Sequence, residues 1–180
     1  MSLQDIDRST LIFARTRGHS PGLERAVAAY SRAGEHAACW LALGLAGALA
    51  SVGSDRAARR HAWLRGAGVV AGSYGLNQAL KFAVRRRRPE LDGLEPLTPV
   101  VTRLSFPSAH ATTSFAAARA YRGLAPAWLL YLAAGAFAIS RPYLGVHYPS
   151  DVVAGAVLGA AVGELWPGST AAGTGPPASR

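Results

Sequence analysis

Five apolar blocks follow one another along this chain, at residues 37–52, 62–84, 108–121, 125–140 and 151–166, and that series constrains the fold more than any other feature. Each approaches the ~20 residues that a helix needs to cross a bilayer. The first is slightly short unless His36 or Gly53 extends it, and the third is only moderately apolar, with Thr112, Thr113, Ser114 and Arg119. Hydrophobic residues make up 50% of the chain and charged residues 16%, against roughly 25% charged in soluble domains. Such a chain is too apolar to be disordered, and it fits a soluble bundle poorly. The expected fold class is all-α, an integral membrane bundle of about five transmembrane helices.

The flanks read differently. Residues 4–17 set Ile6, Leu11, Ile12 and Ala14 among charges, the pattern of a short helix lying at a membrane surface or packed on the bundle. His19-Ser20-Pro21-Gly22 breaks it, and 22–33 can form a second short helix. Residues 1–35 are thus an N-terminal interfacial segment, with no uninterrupted apolar stretch of the kind a cleavable signal peptide needs. Residues 36–166 form the transmembrane domain, and 167–180, rich in Gly, Pro, Ser, Thr and Ala, form a disordered tail. Gly155, Gly159 and Gly163, four residues apart, are suited to close helix contact in lipid. The single Cys39 excludes an internal disulfide and a Cys-based zinc site.

With five helices in series, the connections at 85–107 and 140–151 fall on one side, two spans apart. The unusual polar residues gather there. Lys81 closes the second helix and Arg88 follows it; Ser108 and His110 open the third; Arg141 ends the fourth; His147 and Asp151 lead into the fifth. Three cations aimed at one place suit a phosphate dianion, Arg by bidentate geometry and Lys as a point charge. Ser108-Ala109-His110 at a helix start offers free backbone N–H groups and the positive end of the helix dipole. A His oriented by a carboxylate can act as nucleophile, and a second His can protonate a leaving oxygen. This set supports phosphoryl transfer through a phosphohistidine, with no metal and no cofactor.

Taken singly, these residues have ordinary readings. Arg85, Arg86 and Arg87 read as a solvated or headgroup-facing patch, a His at a helix end as a cap, and Asp151 as a first-turn carboxylate favoured by the dipole. Their gathering at one membrane face is what demands a function, because polar residues at membrane depth are costly.

Lys81-x6-Arg88-Pro89, then Pro107-Ser108-Ala109-His110, then Ser140-Arg141-x5-His147-x3-Asp151 resembles the three-part signature of the type 2 phosphatidic acid phosphatase (PAP2) superfamily. That superfamily includes lipid phosphatases, bacterial acid phosphatases and vanadium haloperoxidases. The resemblance implies that His147 attacks phosphorus, Asp151 orients and polarises His147, and His110 is the acid for the leaving alcohol and then the base for water. It implies that Lys81, Arg88, Arg141, Ser108 and the Ala109 N–H hold the phosphate oxygens. Ala109 stands where the family motif has Gly; its N–H survives, but the turn must be near helical there.

A narrower similarity is to small actinobacterial enzymes assigned to decaprenylphosphoryl-5-phosphoribose dephosphorylation in arabinan precursor synthesis. Gly34-Glu35-His36 with Trp40, residues 106–112 and residues 144–151 carry it. The expected activity is therefore that of a phosphoric monoester hydrolase on a lipid-linked phosphorylated substrate, in the cell membrane as a multi-pass protein. Polyprenyl diphosphate, phosphatidic acid and phosphatidylglycerophosphate stay open as substrates. Outside the enzymes, an anion transporter is the alternative, opposed by the lack of a visible inverted repeat. The formal charge of +9 suggests nucleic acid, but the arginines lie beside apolar spans and no binding module is visible, so no nucleic-acid partner is expected. A positive-inside count of the arginines favours the cytoplasmic side for the cluster. Recruitment of Arg88 and Arg141 by substrate weakens that count, and the side stays open, as does the oligomeric state.

Overall fold

The computed structural model describes residues 2–53 and 56–166. Within them the chain forms seven α-helices, one 3-10 turn and no strand. The helices are α1 (Leu3–Thr16), α2 (Pro21–Ala33), α3 (Ala38–Leu49), α4 (Ala57–Val84), α5 (Ala109–Tyr121), α6 (Ala127–Tyr143) and α7 (Pro149–Leu165), with the 3-10 turn Glu35–Ala37 between α2 and α3. The tail expected at 167–180 lies outside the described residues.

Helix starts follow local chemistry. Ser2 and Asp5 cap α1 reciprocally, the Asp5 N–H donating to the Ser2 hydroxyl at 3.2 Å and the Ser2 N–H to the Asp5 carboxylate at 2.7 Å. Ser20 caps α2, with Pro21 in its first turn. The first helix packs on the bundle. Leu11 is fully buried and Asp7 and Arg15 nearly so, with α1 lying against α6 and α7.

Helix α5 is the axis of the bundle, packed against α4, α6 and α7. Ala111, Ala116, Ala117 and Ala118 are fully buried. The small residues let backbones approach. A Cβ on Gly155 would meet the Ser108 carbonyl, one on Gly159 the Thr112 carbonyl, and one on Gly163 the Arg119 side chain. The four-residue glycine spacing is thus the α5–α7 contact. Trp40, Trp63, Val70, Tyr121, Leu130 and Phe137, in one cluster with Ala117 and Ala118, fill the space between α3, α4, α5 and α6.

The five blocks correspond to α3–α7, but the spans are not evident as such. Among the described residues no helix is long and apolar enough to cross a membrane. The first block is shortened because His36 and Ala37 adopt left-handed φ of 52° and 62°, which delays α3 and leaves it about 18 Å long. Helix α4 is long, at 28 residues, but carries Arg59, Arg60, Arg65 and Lys81. The fourth helix runs past the expected end at Ser140 to Tyr143, with Pro142 in its last turn, so Arg141 sits on the helix rather than in a loop.

Candidate active site

Two connections and two helix ends build the site. Helix α4 stops at Arg85, whose φ of 56° reverses the chain. The returning segment is clamped to its own far end: the Arg88 N–H donates to the Arg103 carbonyl at 3.0 Å and the Ser105 N–H to the Arg86 carbonyl at 2.7 Å. Lys81, buried, donates to the carbonyls of Leu104, Ser105 and Pro107 at 3.1–3.4 Å. It therefore fixes the loop that leads into α5. On the other side Gly145, at φ 75°, turns the chain out of α6 and delivers His147 and Tyr148 to the start of α7.

A cavity of about 130 Å³ lies where these parts meet. Lys81, Arg88, Ala109, His110, Arg141 and His147 all line it, so six of the eight expected residues converge. Ser108 and Asp151 stand behind the wall, both fully buried. The Ser108 N–H donates to the Asp151 carbonyl at 3.0 Å, joining the starts of α5 and α7. Ser108 has extended backbone (φ −68°, ψ 116°) and Ala109 opens the helix, so the Ala for Gly change needs no left-handed turn. The Ser108 hydroxyl and the Arg141 Nε have no hydrogen-bond partner among the described residues. Buried polar atoms are rarely left so.

His147 is held from both ring nitrogens. Nε2 is 3.1 Å from Arg88 Nη1, and Nδ1 is 3.2 Å from the Ser105 hydroxyl. Burial first, then the charges of Arg88, Arg141 and Lys81, push the imidazole well below its ordinary value, so it is neutral at pH 7. Burial also pushes Arg88 down, to about 10, which leaves it cationic. The guanidinium can only donate, so Nε2 carries the lone pair and Nδ1 the proton.

Asp151 and His147 share no direct hydrogen bond. Asp151 Oδ2 lies 3.7 Å from Nδ1, and the Ser105 hydroxyl stands between them, donating to Oδ2 at 2.5 Å. The physical reason is that Asp151 already serves two other groups: the Tyr148 N–H at 2.9 Å and Arg86 Nη1 at 2.8 Å. The Arg86 contact corrects an expectation. Arg86 is not a solvated member of the Arg run; it bridges Asp151 to Asp7 of α1, at 2.8 Å to each, and lies over the Tyr148 ring. Burial would push the Asp7 carboxyl up, but hydrogen bonds from Arg86 and Ser150 hold it below the usual carboxylate range.

Ser31, at the end of α2, was not legible as a site residue. Its carbonyl lies 2.9 Å from His110 Nε2, and its hydroxyl accepts from Arg141 Nη1 at 2.5 Å. The contact assigns a proton to Nε2 and leaves Nδ1 as the nitrogen of His110 that can exchange one. Ser105 sits just before Phe106-Pro107-Ser108, so its proximity to the motif was its only signal; Ser31 and Asp7 had none. Among the described residues no group of three or more His, Cys, Asp or Glu is gathered to hold a metal ion.

A similar arrangement of helices occurs in known proteins. The chain is 39% identical over 146 residues to decaprenylphosphoryl-5-phosphoribose phosphatase of Mycobacterium tuberculosis, covering 81% of this chain and 79% of that one. It is 42% identical over 138 residues to the protein of that name from Mycolicibacterium smegmatis, covering 75% and 72%. The crystal structure of a transmembrane PAP2-type phosphatidylglycerolphosphate phosphatase from Bacillus subtilis superposes with a TM-score of 0.70 at 24% identity, covering 91% of this chain and 83% of that one. The sequence pattern of the PAP2 superfamily matches residues 62–170, a stretch that takes in Lys81, Arg88, both histidines and Asp151, and on these grounds the chain belongs to the PAP2 superfamily.

Proposed function

We propose that this protein is a membrane lipid-phosphate phosphatase that removes the terminal phosphomonoester of a polyprenyl-linked phosphosugar, decaprenylphosphoryl-5-phosphoribose being the best fit. The observation that carries the reading is a neutral, buried imidazole at the wall of a cavity that three cations also line. The names of the relatives from Mycobacterium tuberculosis and Mycolicibacterium smegmatis support the substrate.

In this reading Lys81, Arg88 and Arg141, with the Ser108 hydroxyl and the Ala109 N–H, hold the three non-bridging phosphate oxygens. Nε2 of His147 attacks phosphorus in line. The P–O bond to the sugar breaks, and His110, which enters this step as the imidazolium with Nε2–H held by the Ser31 carbonyl, gives its Nδ1 proton to the departing alkoxide. His110 then takes a proton from water, the water oxygen attacks phosphorus, and the P–N bond breaks to release inorganic phosphate. Ser105 and Asp151 keep the His147 proton on Nδ1 and stabilise the cationic ring that bond formation creates. A phosphodiester has one charge fewer and a second substituent in the cradle, so the lipid-linked diester is spared.

The membrane placement rests on the outer surface. Leu45, Leu49, Phe82, Trp128, Leu132, Ile139, Val153, Val157 and Leu165 are all more than half exposed, and these apolar side chains on α3, α4, α6 and α7 suit acyl chains better than water. The bundle then sits in the cell membrane as a multi-pass protein, with α1 and α2 at the interface on the active-site side. The lipid tail enters between helices while the phosphorylated head reaches the cations.

Phosphate release measured on decaprenylphosphoryl-5-phosphoribose, a prenyl diphosphate, phosphatidic acid, phosphatidylglycerophosphate and ribose 5-phosphate tests the reading. The first should give the highest kcat/KM. Equal or better turnover of any other substrate in the set contradicts it.

A further inference from the structure

The phosphate cradle accounts for only part of the cavity. Glu35, His36, Tyr74 and Gln78 also line it, and no step of phosphoryl transfer uses them. Among the described residues the Glu35 carboxylate and the Gln78 amide make no hydrogen bond to protein, while His36 Nδ1 meets the Tyr74 hydroxyl at 2.8 Å. A carboxylate is out of place in a phosphate site, because it repels the dianion that Lys81, Arg88 and Arg141 attract. Glu35 is half-buried and attracts Arg141, yet its oxygens are left open to the cavity. An ionised carboxylate is acceptor-only, with two oxygens side by side; its natural complement is a pair of adjacent hydroxyl donors.

The backbone bears this out. Two successive residues without glycine, His36 and Ala37, hold left-handed φ, a conformation that persists only where surrounding structure over-determines it and that gathers at ligand clamps. The turn is locked to the chemistry: a Cβ on Gly34 would strike the rings of Phe137 and His110. Whatever Glu35 and His36 grip is therefore held in register with the leaving-group acid.

We propose that Glu35, with His36, Tyr74 and Gln78, forms a hydroxyl-recognition subsite that takes the vicinal diol of the sugar whose phosphate is cleaved. This rests on the reading of the substrate as a phosphosugar and extends it to the atoms that choose it. Glu35 accepts from the two hydroxyls, and Gln78 and the Tyr74–His36 pair complete the shell. Phosphomonoesters without a neighbouring diol leave the carboxylate unpaired beside the phosphate and are disfavoured.

The subsite makes a substrate-side prediction that needs no variant. With farnesylphosphoryl-5-phosphoribose, its 2-deoxyribose analogue and dodecyl phosphate as probes, the intact enzyme should lose roughly 10- to 100-fold in kcat/KM from ribose to deoxyribose, the range of a hydrogen bond to a charged group. In Glu35→Gln the ribose-to-deoxyribose ratio should fall towards one. Glu35 also attracts Arg141, and a role through Arg141 alone would lower all three substrates by one factor and leave the ratio unchanged; that result overturns the subsite. A Glu35→Gln protein that fails to fold leaves the comparison in the intact enzyme decisive: equal turnover of the ribose and deoxyribose lipids overturns the proposal. Failure of the substrate reading itself is separately visible, as dodecyl phosphate turning over better than either sugar lipid in the intact enzyme.

Discussion

The Ser105 hydroxyl stands between His147 and Asp151, 3.2 Å from Nδ1 of the imidazole and 2.5 Å from the carboxylate. Its single proton goes to Asp151, so the hydroxyl oxygen is left to accept from Nδ1. In the proposed mechanism the carboxylate acts on His147 through this relay. Ser105→Ala should reduce kcat by roughly 10- to 100-fold, the worth of a hydrogen bond to a charged group, with KM little changed because Ser105 does not line the cavity. Steady-state kinetics on the purified variant checks this, and a kcat within twofold of the parent would show that the relay is dispensable.

Asp7 and Arg86 tie the N-terminal helix to Asp151. Asp7→Ala should lower thermal stability, since it strips Arg86 and Ser150 of their shared acceptor. Arg86→Ala should lower both stability and kcat, because Asp151 also loses a donor. The Asp7 carboxyl is held below its ordinary value. Its stabilisation is therefore fully present above the unfolded value of ~3.9 and is lost as pH falls through the folded one. Melting curves of parent and Asp7→Ala should converge in acid; a constant difference down to the lowest pH would contradict the pairing.

His147 should remain neutral, with its proton on Nδ1, down through the ordinary imidazole value of ~6.5. Its lowered value carries the opposite sign to that of a paired cation. Below ~6.5 the unfolded chain binds a proton that the folded ring refuses, so this residue subtracts stability as pH falls. Nitrogen-15 NMR of histidine-labelled protein in detergent reads the tautomer directly. Titration near 6.5, or a proton on Nε2, would refute the assignment of Nε2 as nucleophile.

Gly159 faces the backbone of α5, where a Cβ would land on the Thr112 carbonyl. The obstacle is main chain, so it cannot swing aside. Gly159→Ala should cost about 1–3 kcal/mol, as over-packing typically does, whereas Gly68→Ala, where the added carbon meets nothing within 4 Å, should be neutral or gain helix propensity. Thermal melts of the two variants in one detergent give the comparison.

Much of this was written in the sequence at the level of residue type and spacing. The apolar blocks located α3–α7 within a few residues, because periodic polar breaks and prolines end helices whatever the tertiary context. Lys81, Arg88, His110, Arg141 and His147 were legible because cations and imidazoles beside apolar helices have few other reasons to be there. What escaped depends on contacts between distant segments. Ser31 meets His110 and Arg141 only because α2 folds back on α5 and α6, and a serine near a helix end carries no mark of that. Arg86 looked like its neighbours Arg85 and Arg87; only the left-handed turn at Arg85 sends it inward to Asp7 and Asp151. The left-handed turn at His36 and Ala37 was invisible because neither residue is a glycine or asparagine.

The central claim is that phosphate passes through a covalent bond to His147. Mixing the enzyme with decaprenylphosphoryl-5-phosphoribose, quenching in base where phosphohistidine survives, and mapping the peptides by mass spectrometry tests it. The account predicts one phosphoryl group on His147, accumulating further in His110→Ala if loss of the general base slows hydrolysis most, and absent in His147→Ala. Phosphate found on another residue, or turnover retained in His147→Ala, would contradict it.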